Sequence, residues 1–299
     1  MRVFVTGASG WIGSAAVPEL LAAGHEVVGL ARSDASAAAL QAAGAHVRTG
    51  SLDDLASLRA GAAEADAVLH LAFKHDFSDY EGAGRTERAA VETMLDELAG
   101  TDRPFLFASG IAMLAPGRVA TEEDGPRSSD PASPRGGAEG FALASAERGV
   151  RPVSLRFAPT VHGIGDHGFS AVLAGIAREK GVAGYVGDGS NRWPAVHHSD
   201  AGRLIARALE AAPEGGAIVH AVGEEGIPAR EIAEAFGSAL GVPTASISPE
   251  DAASHFGWIG GFFAADIPAS SALTRARYDW EPTGPTLLED IAAGAYPGA

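Results

Sequence analysis

Hydrophobic and polar positions follow two alternating patterns along the first 160 residues of this chain. Short apolar runs are typical of buried strands, and we predict strands at residues 2–6, 26–31, 45–49, 66–72, 104–109 and 152–157. Ala- and Leu-rich segments separate these runs, and we predict helices near residues 11–23, 34–43, 53–61, 85–100 and 136–148. Regular alternation of strand and helix predicts an α/β fold built on a doubly wound parallel sheet.

The pattern is less regular after residue 160, where glycines interrupt the chain. Here we predict a helix at about 168–180, a strand at 182–187, a helix that begins at Ser199-Asp200, and a strand at 217–222. We therefore expect one domain over residues 1–160, which is completed by about 199–222. The remaining segments, 161–198 and 223–299, are expected to form a smaller C-terminal lobe.

Residues 115–137 form a long segment rich in Pro, Gly, Ser and charged residues. The segment lies between a predicted strand and a predicted helix, at the sheet edge where ligands bind in open α/β folds. It is either a mobile active-site loop or a solvated surface loop.

The first strand is followed at once by the motif TGxxGxxG and then by a helical pattern. In this motif Gly7 permits a tight turn, Gly10 lets a pyrophosphate approach the backbone, and Gly13 lets the helix pack closely. The N–H groups and positive dipole end of the helix then face the phosphates. This context predicts a Rossmann-type dinucleotide site, with contacts from Gly7, Ser9, Gly10, Trp11, Ile12 and Gly13.

Composition narrows the range of partners. The chain has 299 residues, 46% of them hydrophobic, and a formal net charge of −16, so we expect neither nucleic acid nor membranes as partners. With no cysteine, the chain has no disulfides, thiolate metal ligands or thiol nucleophiles. No apolar run reaches about 18 residues, and the N-terminus already holds the first strand, so we expect a cytoplasmic protein.

The end of the second strand bears on cofactor choice. Folds that prefer NAD usually place an acidic residue there, which binds the ribose 2′-hydroxyl. This chain has Ala31, followed by Arg32 and Ser33, which can donate to a 2′-phosphate. We therefore predict NADP(H) rather than NAD; alternatively, Arg32 is a solvated surface charge.

Two further strand ends are candidates for cofactor contacts. After the third strand come Leu52 and Asp53, and Asp53 can accept from an adenine amino group, cap the following helix, or do both. After the fourth strand, Leu71, Ala72 and Phe73 let the backbone lie beside the cofactor. We interpret His70, just before them, as a core histidine rather than a catalytic one.

Together these motifs resemble the short-chain dehydrogenase/reductase superfamily, in its extended branch of NAD(P)-dependent epimerase/dehydratase relatives. The resemblance rests on the glycine motif and on residues 70–72, 107–110, 156–163 and 196–201. It implies that residues 159–162 border the nicotinamide, so Pro159 and Val161 are expected cofactor contacts. It also makes a homodimer possible.

The family's usual Tyr-x-x-x-Lys pair is replaced in this chain. At the corresponding position stand Arg135 and Glu139, with the same spacing. They form either a surface ion pair on one helix face, or a site in which Glu139 binds the nicotinamide ribose and Arg135 binds a substrate carbonyl or anion. Ser109, at the end of the fifth strand, is a candidate substrate-orienting hydroxyl; alternatively, it satisfies a backbone group.

The remaining candidates are substrate contacts. His75 and His162 lie just past predicted strands, and a histidine pKa near 6.5 suits acid–base chemistry. Trp193 lines an apolar pocket or is a packing residue. No histidine spacing is typical of a metal site, and His197 and His198 are expected on opposite sides of a strand, so we predict no metal.

These observations predict an NADP(H)-dependent oxidoreductase that transfers hydride to or from a small carbonyl or alcohol substrate, without the usual Tyr-Lys pair. Ser109, Arg135 and Glu139 are the candidate catalytic residues. Two alternatives remain open: a non-catalytic NADP(H)-sensing protein, and an NAD-dependent epimerase or isomerase.

Overall fold

The structure, a computed structural model, describes residues 1–74, 79–115, 117–126 and 128–297, and only the backbone of residues 134 and 136. Its strands are β1 Arg2–Thr6, β2 Glu26–Ala31, β3 His46–Thr49, β4 Ala67–His70, β5 Pro104–Gly110, β6 Arg151–Phe157, β7 Thr160–His162, β8 Ala183–Val186, β9 Arg192–His197, β10 Ala217–Ala221, β11 Glu224–Pro228 and β12 Thr244–Ile247. Its α-helices are α1 Trp11–Ala22, α2 Asp34–Ala42, α3 Leu55–Ala63, α4 Tyr80–Leu98, α5 Ala138–Ala144, α6 Phe169–Lys180, α7 His198–Glu210, α8 Ala229–Leu240, α9 Ala252–Phe256, α10 Gly260–Phe263, α11 Ala272–Tyr278 and α12 Leu287–Ala292.

A seven-stranded sheet in the order β10-β6-β5-β4-β1-β2-β3 confirms the predicted fold class. Strand β1 pairs in parallel with β2 on one side and with β4 on the other. Strands β3 and β5 extend the sheet, also in parallel. The order places the first strand centrally and reverses direction beside it, which is the topology of a Rossmann-type sheet. The carboxyl ends of β1, β2 and β4 therefore meet at one edge.

The chain divides into two compact units. Unit 1 comprises Met1–Ser109, Gly125–Arg156 and Gly202–Val219. Its core is formed by apolar side chains from the sheet and from α3 and α4, including Phe4, Leu58, Val68, Met94 and Phe105. Helix α4 buries every third or fourth residue, because its apolar positions recur with helical spacing.

Unit 2 comprises Gly110–Asp124, Phe157–Ala201 and His220–Ala299. It contains a three-stranded sheet in the order β11-β9-β7 and a two-stranded sheet of β12 and β8. Its core is rich in aromatic residues, with Trp193, Phe236, Phe256 and Phe263 all buried.

Several element boundaries differ from the sequence prediction. Residues 136–148 were expected to form one helix but are broken into a 3₁₀ turn at Pro134–Gly137, the short helix α5, and a second 3₁₀ turn at Ser145–Arg148. Gly137 has a φ of +60°, which an α-helix does not accept, so the first break lies there. The expected strand through His197 and His198 was also wrong, because His197 ends β9 and His198 begins α7.

Residues 115–137 are more than a solvated surface loop. In unit 2, Ala120 is buried and donates its backbone N–H to the carbonyl of Pro268. The buried carboxylate of Glu122 accepts from the backbone N–H of Thr274 at 2.7 Å. In unit 1, the Arg88 guanidinium donates to the carbonyl of Ser129 at 3.0 Å.

Within the described residues, no helix has the length and apolar character needed to span a bilayer.

Two helical glycines give a matched test of this packing. In α7, a Cβ on Gly202 would lie 2.6 Å from the carbonyl oxygen of Ala15 in α1, whereas a Cβ on Gly175 in α6 would meet no atom within 4 Å. We expect Gly202→Ala to lower the free energy of unfolding by about 1–3 kcal/mol, because backbone must move. Gly175→Ala should raise it by about 0.5–1 kcal/mol through helix propensity. Urea unfolding of both variants checks this; equal effects would contradict the packing of α1 against α7.

Candidate functional site

The glycine motif forms a tight turn between β1 and α1. Gly7 has a φ of +70°, and a Cβ there would lie 2.7 Å from the backbone nitrogen of Ala72, just after β4. A Cβ on Gly13 would lie 2.2 Å from the carbonyl oxygen of Gly7. Both positions therefore require glycine. The glycine loop therefore packs directly against the backbone at the end of β4, and the first turn of α1 packs directly against the loop.

The start of α1 can accept an anion. Gly10 is the N-cap, and it has no side chain that could cap the backbone N–H groups of the first turn. That turn contains no acidic residue, so its positive dipole end is not neutralised. Ser9 is exposed, whereas Trp11 and Ile12 are half-buried, so the predicted contacts surround one helix end.

Strand β4 is tied to β1 at this edge through Thr6. The Thr6 hydroxyl lies 2.7 Å from Nδ1 of His70, and the backbone N–H of Ala72 donates to the same oxygen at 3.3 Å. The backbone N–H of Leu71 donates to the Thr6 carbonyl at 3.1 Å. Leu71, Ala72 and Phe73 thus stay half-buried beside the glycine turn.

His70 is a core histidine, as the sequence indicated. Its side chain is buried and stacks on Phe105, with ring centroids 6.4 Å apart. Its Nε2 has no hydrogen-bond partner among the described residues. Burial lowers the pKa of His70 to about 3, so the ring is neutral at physiological pH.

The end of β2 carries an available cation. Ala31 is buried, and the next residue, Arg32, is exposed. Within the described part of the chain, Arg32 makes no hydrogen bond or ion pair. Ser33 is the N-cap of α2, and its hydroxyl accepts from the backbone N–H of Ser36 at 3.2 Å. Arg32 is therefore free to bind a ligand, whereas the Ser33 hydroxyl already has a structural contact.

Asp53 does not cap the helix that follows it. The cap of α3 is Asp54, whose carboxylate accepts from the backbone N–H of Ser57 at 3.0 Å. Asp53 instead lies 2.6 Å from the ammonium of Lys74, and the neighbouring Leu52 is buried. The capping alternative for Asp53 was wrong, and the adenine contact stays a prediction.

Arg135 is held by a buried carboxylate that the sequence analysis did not identify. Its Nε and Nη2 both bind the carboxylate of Glu87, which is 2% exposed, and Nη2 also donates to the carbonyl of Ala108 at 3.1 Å. Its Cζ lies 4.5 Å from the centre of the Phe73 ring. Arg135 adopts a φ of +55°, which is rare for a residue with a side chain. The one available signal for Glu87 was its place on the buried stripe of α4.

One nitrogen of the Arg135 guanidinium lacks a hydrogen-bond partner in the described part of the chain. Its Nη1 makes no hydrogen bond or ion pair to any described residue. Burial raises the pKa of the Glu87 carboxyl, and the arginine opposes that shift. Because a guanidinium stays charged, Nη1 offers two charged N–H donors in a site whose counter-ion is fixed.

Glu139 has its own partners, so the alternative of an Arg135–Glu139 surface ion pair was wrong. Its Oε1 accepts from the hydroxyl of Ser154 at 2.7 Å and from Nε of Arg156 at 2.5 Å. Arg156 is fully buried, so Glu139 neutralises a core charge. Its predicted contact with the nicotinamide ribose remains untested.

Ser109 lies near the end of β5 and is half-buried. Its hydroxyl makes no hydrogen bond to any described residue, so the alternative that it satisfies a backbone group has no support. The carbonyl before it, that of Ala108, is the one that binds Arg135. A hydroxyl and a guanidinium nitrogen that both lack a hydrogen-bond partner in the described part of the chain therefore occur at the same strand end.

In unit 2, His162 lies between two carboxylates. Its Nδ1 is 2.6 Å from Asp290, its Nε2 is 3.6 Å from Glu224, and its ring packs edge-on against His197. The side chain is fully buried, which argues against the predicted substrate contact of His162. Pro159 and Val161 are half-buried in and beside β7, and their predicted cofactor contacts remain untested.

Trp193 is a packing residue in the core of unit 2. It is 1% exposed and makes edge-to-face contacts with Phe169, Phe262 and Phe263. Of the two roles considered for Trp193, the structure supports packing in the core and not the lining of a pocket. His75 lies outside the described residues. Among those residues, no group of three or more His, Cys, Asp or Glu side chains is arranged to hold a metal ion.

Comparison with known proteins agrees with this geometry. The sequence model of the NAD dependent epimerase/dehydratase family matches residues 3–221. An uncharacterized protein of Schizosaccharomyces pombe is 47% identical over 298 residues, covering 99% of this chain and 100% of that protein.

Solved structures show the same fold. The UDP-glucose 4-epimerase of Thermus thermophilus, in complex with NAD, has a TM-score of 0.73 at 23% identity and covers 99% of this chain and 98% of its own. The dTDP-glucose 4,6-dehydratase DesIV of Streptomyces venezuelae, solved with NAD bound, has a TM-score of 0.75 at 20% identity, with coverage of 99% and 96%.

The buried state of His70 predicts a pH dependence of stability. Because the pKa of His70 is about 3 in the folded protein and 6.5 ordinarily, the unfolded chain binds a proton that the folded chain does not. The free energy of unfolding therefore falls as the pH drops below 6.5, the ordinary pKa of histidine. Between pH 7 and pH 5 we expect the wild type to lose about 2 kcal/mol more than His70→Asn.

Urea unfolding at several pH values measures this difference. The control is His46→Asn, because His46 is an exposed histidine of the same sheet. The additional loss of stability that buried His70 causes should disappear in His70→Asn and persist in His46→Asn. Parallel wild-type and His70→Asn profiles would contradict a neutral, buried His70.

Proposed function

Because the chain belongs to the NAD dependent epimerase/dehydratase family, we propose that it is an NADP(H)-dependent oxidoreductase acting on a small carbonyl or alcohol substrate. The observation that carries this proposal is the strand end at Ser109, where the Ser109 hydroxyl and Nη1 of Arg135 have no hydrogen-bond partner among the described residues. We further propose that unit 1 binds the dinucleotide and that unit 2 provides the substrate-binding lobe.

The residues at the sheet edge of unit 1 fit a dinucleotide. The turn at Gly7 and the unneutralised start of α1 would hold the pyrophosphate. Leu71, Ala72 and Phe73 would lie beside the bound dinucleotide. The Asp53 carboxylate would accept a hydrogen bond from the adenine amino group. Support for NADP(H) over NAD comes from Arg32, which has no partner among the described residues and follows Ala31 rather than an acidic residue.

Arg135 and Ser109 would bind the reacting oxygen. When bound, the nicotinamide supplies or accepts the hydride. Two N–H donors of Arg135 Nη1 and the Ser109 hydroxyl would stabilise negative charge on a carbonyl oxygen as it becomes an alkoxide. Arginine does not give up its proton near neutral pH, so the oxygen would take its proton from water. Glu87 is a positioning residue, since it fixes the guanidinium without touching the substrate.

Two alternative functions, an NADP(H) sensor and an NAD-dependent epimerase or isomerase, do not account for the donors at Ser109 and Arg135. Each still has one observation in its favour. The Glu139–Arg156 and Arg135–Glu87 pairs favour a sensor, because both positions of the usual catalytic pair carry structural contacts. The UDP-glucose 4-epimerase and the dehydratase among the similar structures favour an epimerase or isomerase, but at 23% and 20% identity they carry only the fold.

The proposal is tested by titration and turnover. Calorimetric titration with NADPH and NADH gives affinity and preference. The NADPH complex is then screened, by NADPH absorbance, against ketones, aldehydes, imines and enones. Turnover with any of them supports the oxidoreductase. Tight NADPH binding with no turnover would favour the sensor, and a tightly held NAD that resists dialysis would favour the epimerase.

Cofactor preference should depend on Arg32. We expect Arg32→Ala to weaken NADPH binding about 10–100-fold, since it removes a charge-assisted contact with the 2′-phosphate. NADH, which has no such phosphate, should bind as it does to the wild type. The control is Arg59→Ala, another exposed arginine of unit 1, which is paired with Glu97. An equal loss for both cofactors, or wild-type preference for NADH, would overturn the role of Arg32.

Turnover should depend on the two oxygen-binding groups. We expect Ser109→Ala to lower kcat/KM about 10–100-fold and Arg135→Lys about 100-fold or more, because each removes a donor to the developing alkoxide. Ser109→Ala should leave Tm unchanged, since the hydroxyl has no partner among the described residues. Arg85→Lys, on the exposed face of α4, is the control. Wild-type turnover in both site variants would reject this mechanism.

A further inference from the structure

Unit 2 exposes an aromatic surface around Trp258. This side chain is 55% exposed, although tryptophan is among the side chains that gain most from burial. Its ring makes an edge-to-face contact with Phe169 at 5.8 Å, and Phe169 makes another with Phe262 at 5.2 Å. Phe169 and Phe262 are half-buried, so they present part of each ring to solvent. We call these three side chains the Trp258 surface.

The Trp258 surface is anchored in a rigid core. Phe169 and Phe262 both pack edge-to-face against the buried Trp193, at 6.2 and 5.1 Å. Trp193 in turn contacts the buried Phe263 at 5.2 Å. The buried Trp193 therefore restricts the motion of Phe169 and Phe262. A ligand that contacts these two rings would cause little loss of side-chain entropy. An exposed aromatic surface on a fixed base is typical of a binding site.

The charge of unit 2 restricts the ligand. Its segments contain eighteen Asp and Glu residues against seven Lys and Arg residues. All seven cations contact partners inside the unit: Arg118 with Asp124, Arg178 with the carbonyls of Tyr296 and Pro297, Lys180 with Glu179, Arg192 with Asp266, Arg230 with Tyr185, Arg275 with Glu281, and Arg277 with Tyr278. A diphosphate would meet net negative charge and would have to compete for each guanidinium.

We propose that the Trp258 surface binds the apolar part of an uncharged aromatic or branched-alkyl carbonyl compound, and not a nucleotide-diphosphate sugar. This inference rests on the proposed function, because it names the substrate class of the same enzyme. Apolar rings would stack on Trp258 and Phe169, and the neutral carbonyl group would avoid the repulsion that an anion meets.

The test is a binding measurement without any nicotinamide cofactor, so it does not depend on turnover. Saturation-transfer difference NMR on the full chain compares 2-acetonaphthone, a neutral aromatic ketone, with 2-naphthoate, its anionic analogue, and with UDP-glucose. We expect the ketone to bind at least about tenfold more tightly than either anion. Trp258→Ala should weaken ketone binding about tenfold through loss of stacking. Leu273→Ala, which changes another exposed apolar side chain of unit 2, should not.

Each outcome decides the proposal. Binding of 2-naphthoate or UDP-glucose as tightly as the ketone would overturn it, and so would ketone binding that does not depend on Trp258. Self-association that is lost in Trp258→Ala, with no ketone binding, would assign the surface to a second copy of the chain and also overturn it. If the ketone binds as expected but no carbonyl compound oxidises NADPH, the proposed function fails while the binding site stands.

Discussion

The buried ion pair between Glu87 and Arg135 determines how unit 1 presents its candidate chemistry. Two charges have been removed from water, which is costly, and the bidentate contact with the bond to Ala108 offsets that cost. Removing one partner would leave the other charged and buried, at about 3–5 kcal/mol. Arg135 makes this contact from a backbone conformation with a φ of +55°. These contacts connect helix α4, the 3₁₀ turn and β5, and they fix the orientation of Nη1, which has no hydrogen-bond partner among the described residues.

Backbone contact at the sheet edge is the second constraint. Gly7 and Gly13 leave no room for a Cβ, and Thr6 bonds the chain after β4 to β1 through both its carbonyl and its hydroxyl. The glycine turn therefore packs directly against the backbone that follows β4. His70 is buried at the same strand end, and burial lowers its pKa so that the ring is neutral.

The sequence predicted the large sheet well because its strands are continuous apolar runs with helices between them. The strands of unit 2 gave weaker signals. Strand β11 contains two glutamates, a glycine and a proline, and its register with β9 shifts between Glu224 and Ile227. Strand β9 contains Pro194, which argues against a strand from sequence alone. These strands are held by tertiary pairing, which residue patterns do not record.

Within the candidate site, local features were predictable and distant partners were not. The Gly7 turn follows from spacing, because each glycine has a steric reason within a few residues. The partners of Arg135 and Glu139 are 48 and 17 residues away, at Glu87 and Arg156, and only the folded chain brings them together. The i,i+4 spacing predicted an ion pair between Arg135 and Glu139, but Arg135 pairs with Glu87 and Glu139 pairs with Arg156. The position of Glu87 on the buried face of α4 predicts that it pairs with a cation, but it does not predict which cation.

Arg135, which the sequence places where the family usually has a tyrosine, also bears on the direction of the proposed reaction. A tyrosine with a neighbouring lysine can both give and take a proton, so it serves reduction and oxidation alike. A guanidinium stabilises an alkoxide but has no accessible neutral form that could remove a proton from an alcohol. Carbonyl reduction needs only that stabilisation, because water can protonate the alkoxide afterwards. In the oxidation direction the alcohol would have to give its proton to water or hydroxide, because Arg135 and Ser109 provide no base, so we expect reduction to be the faster direction at neutral pH.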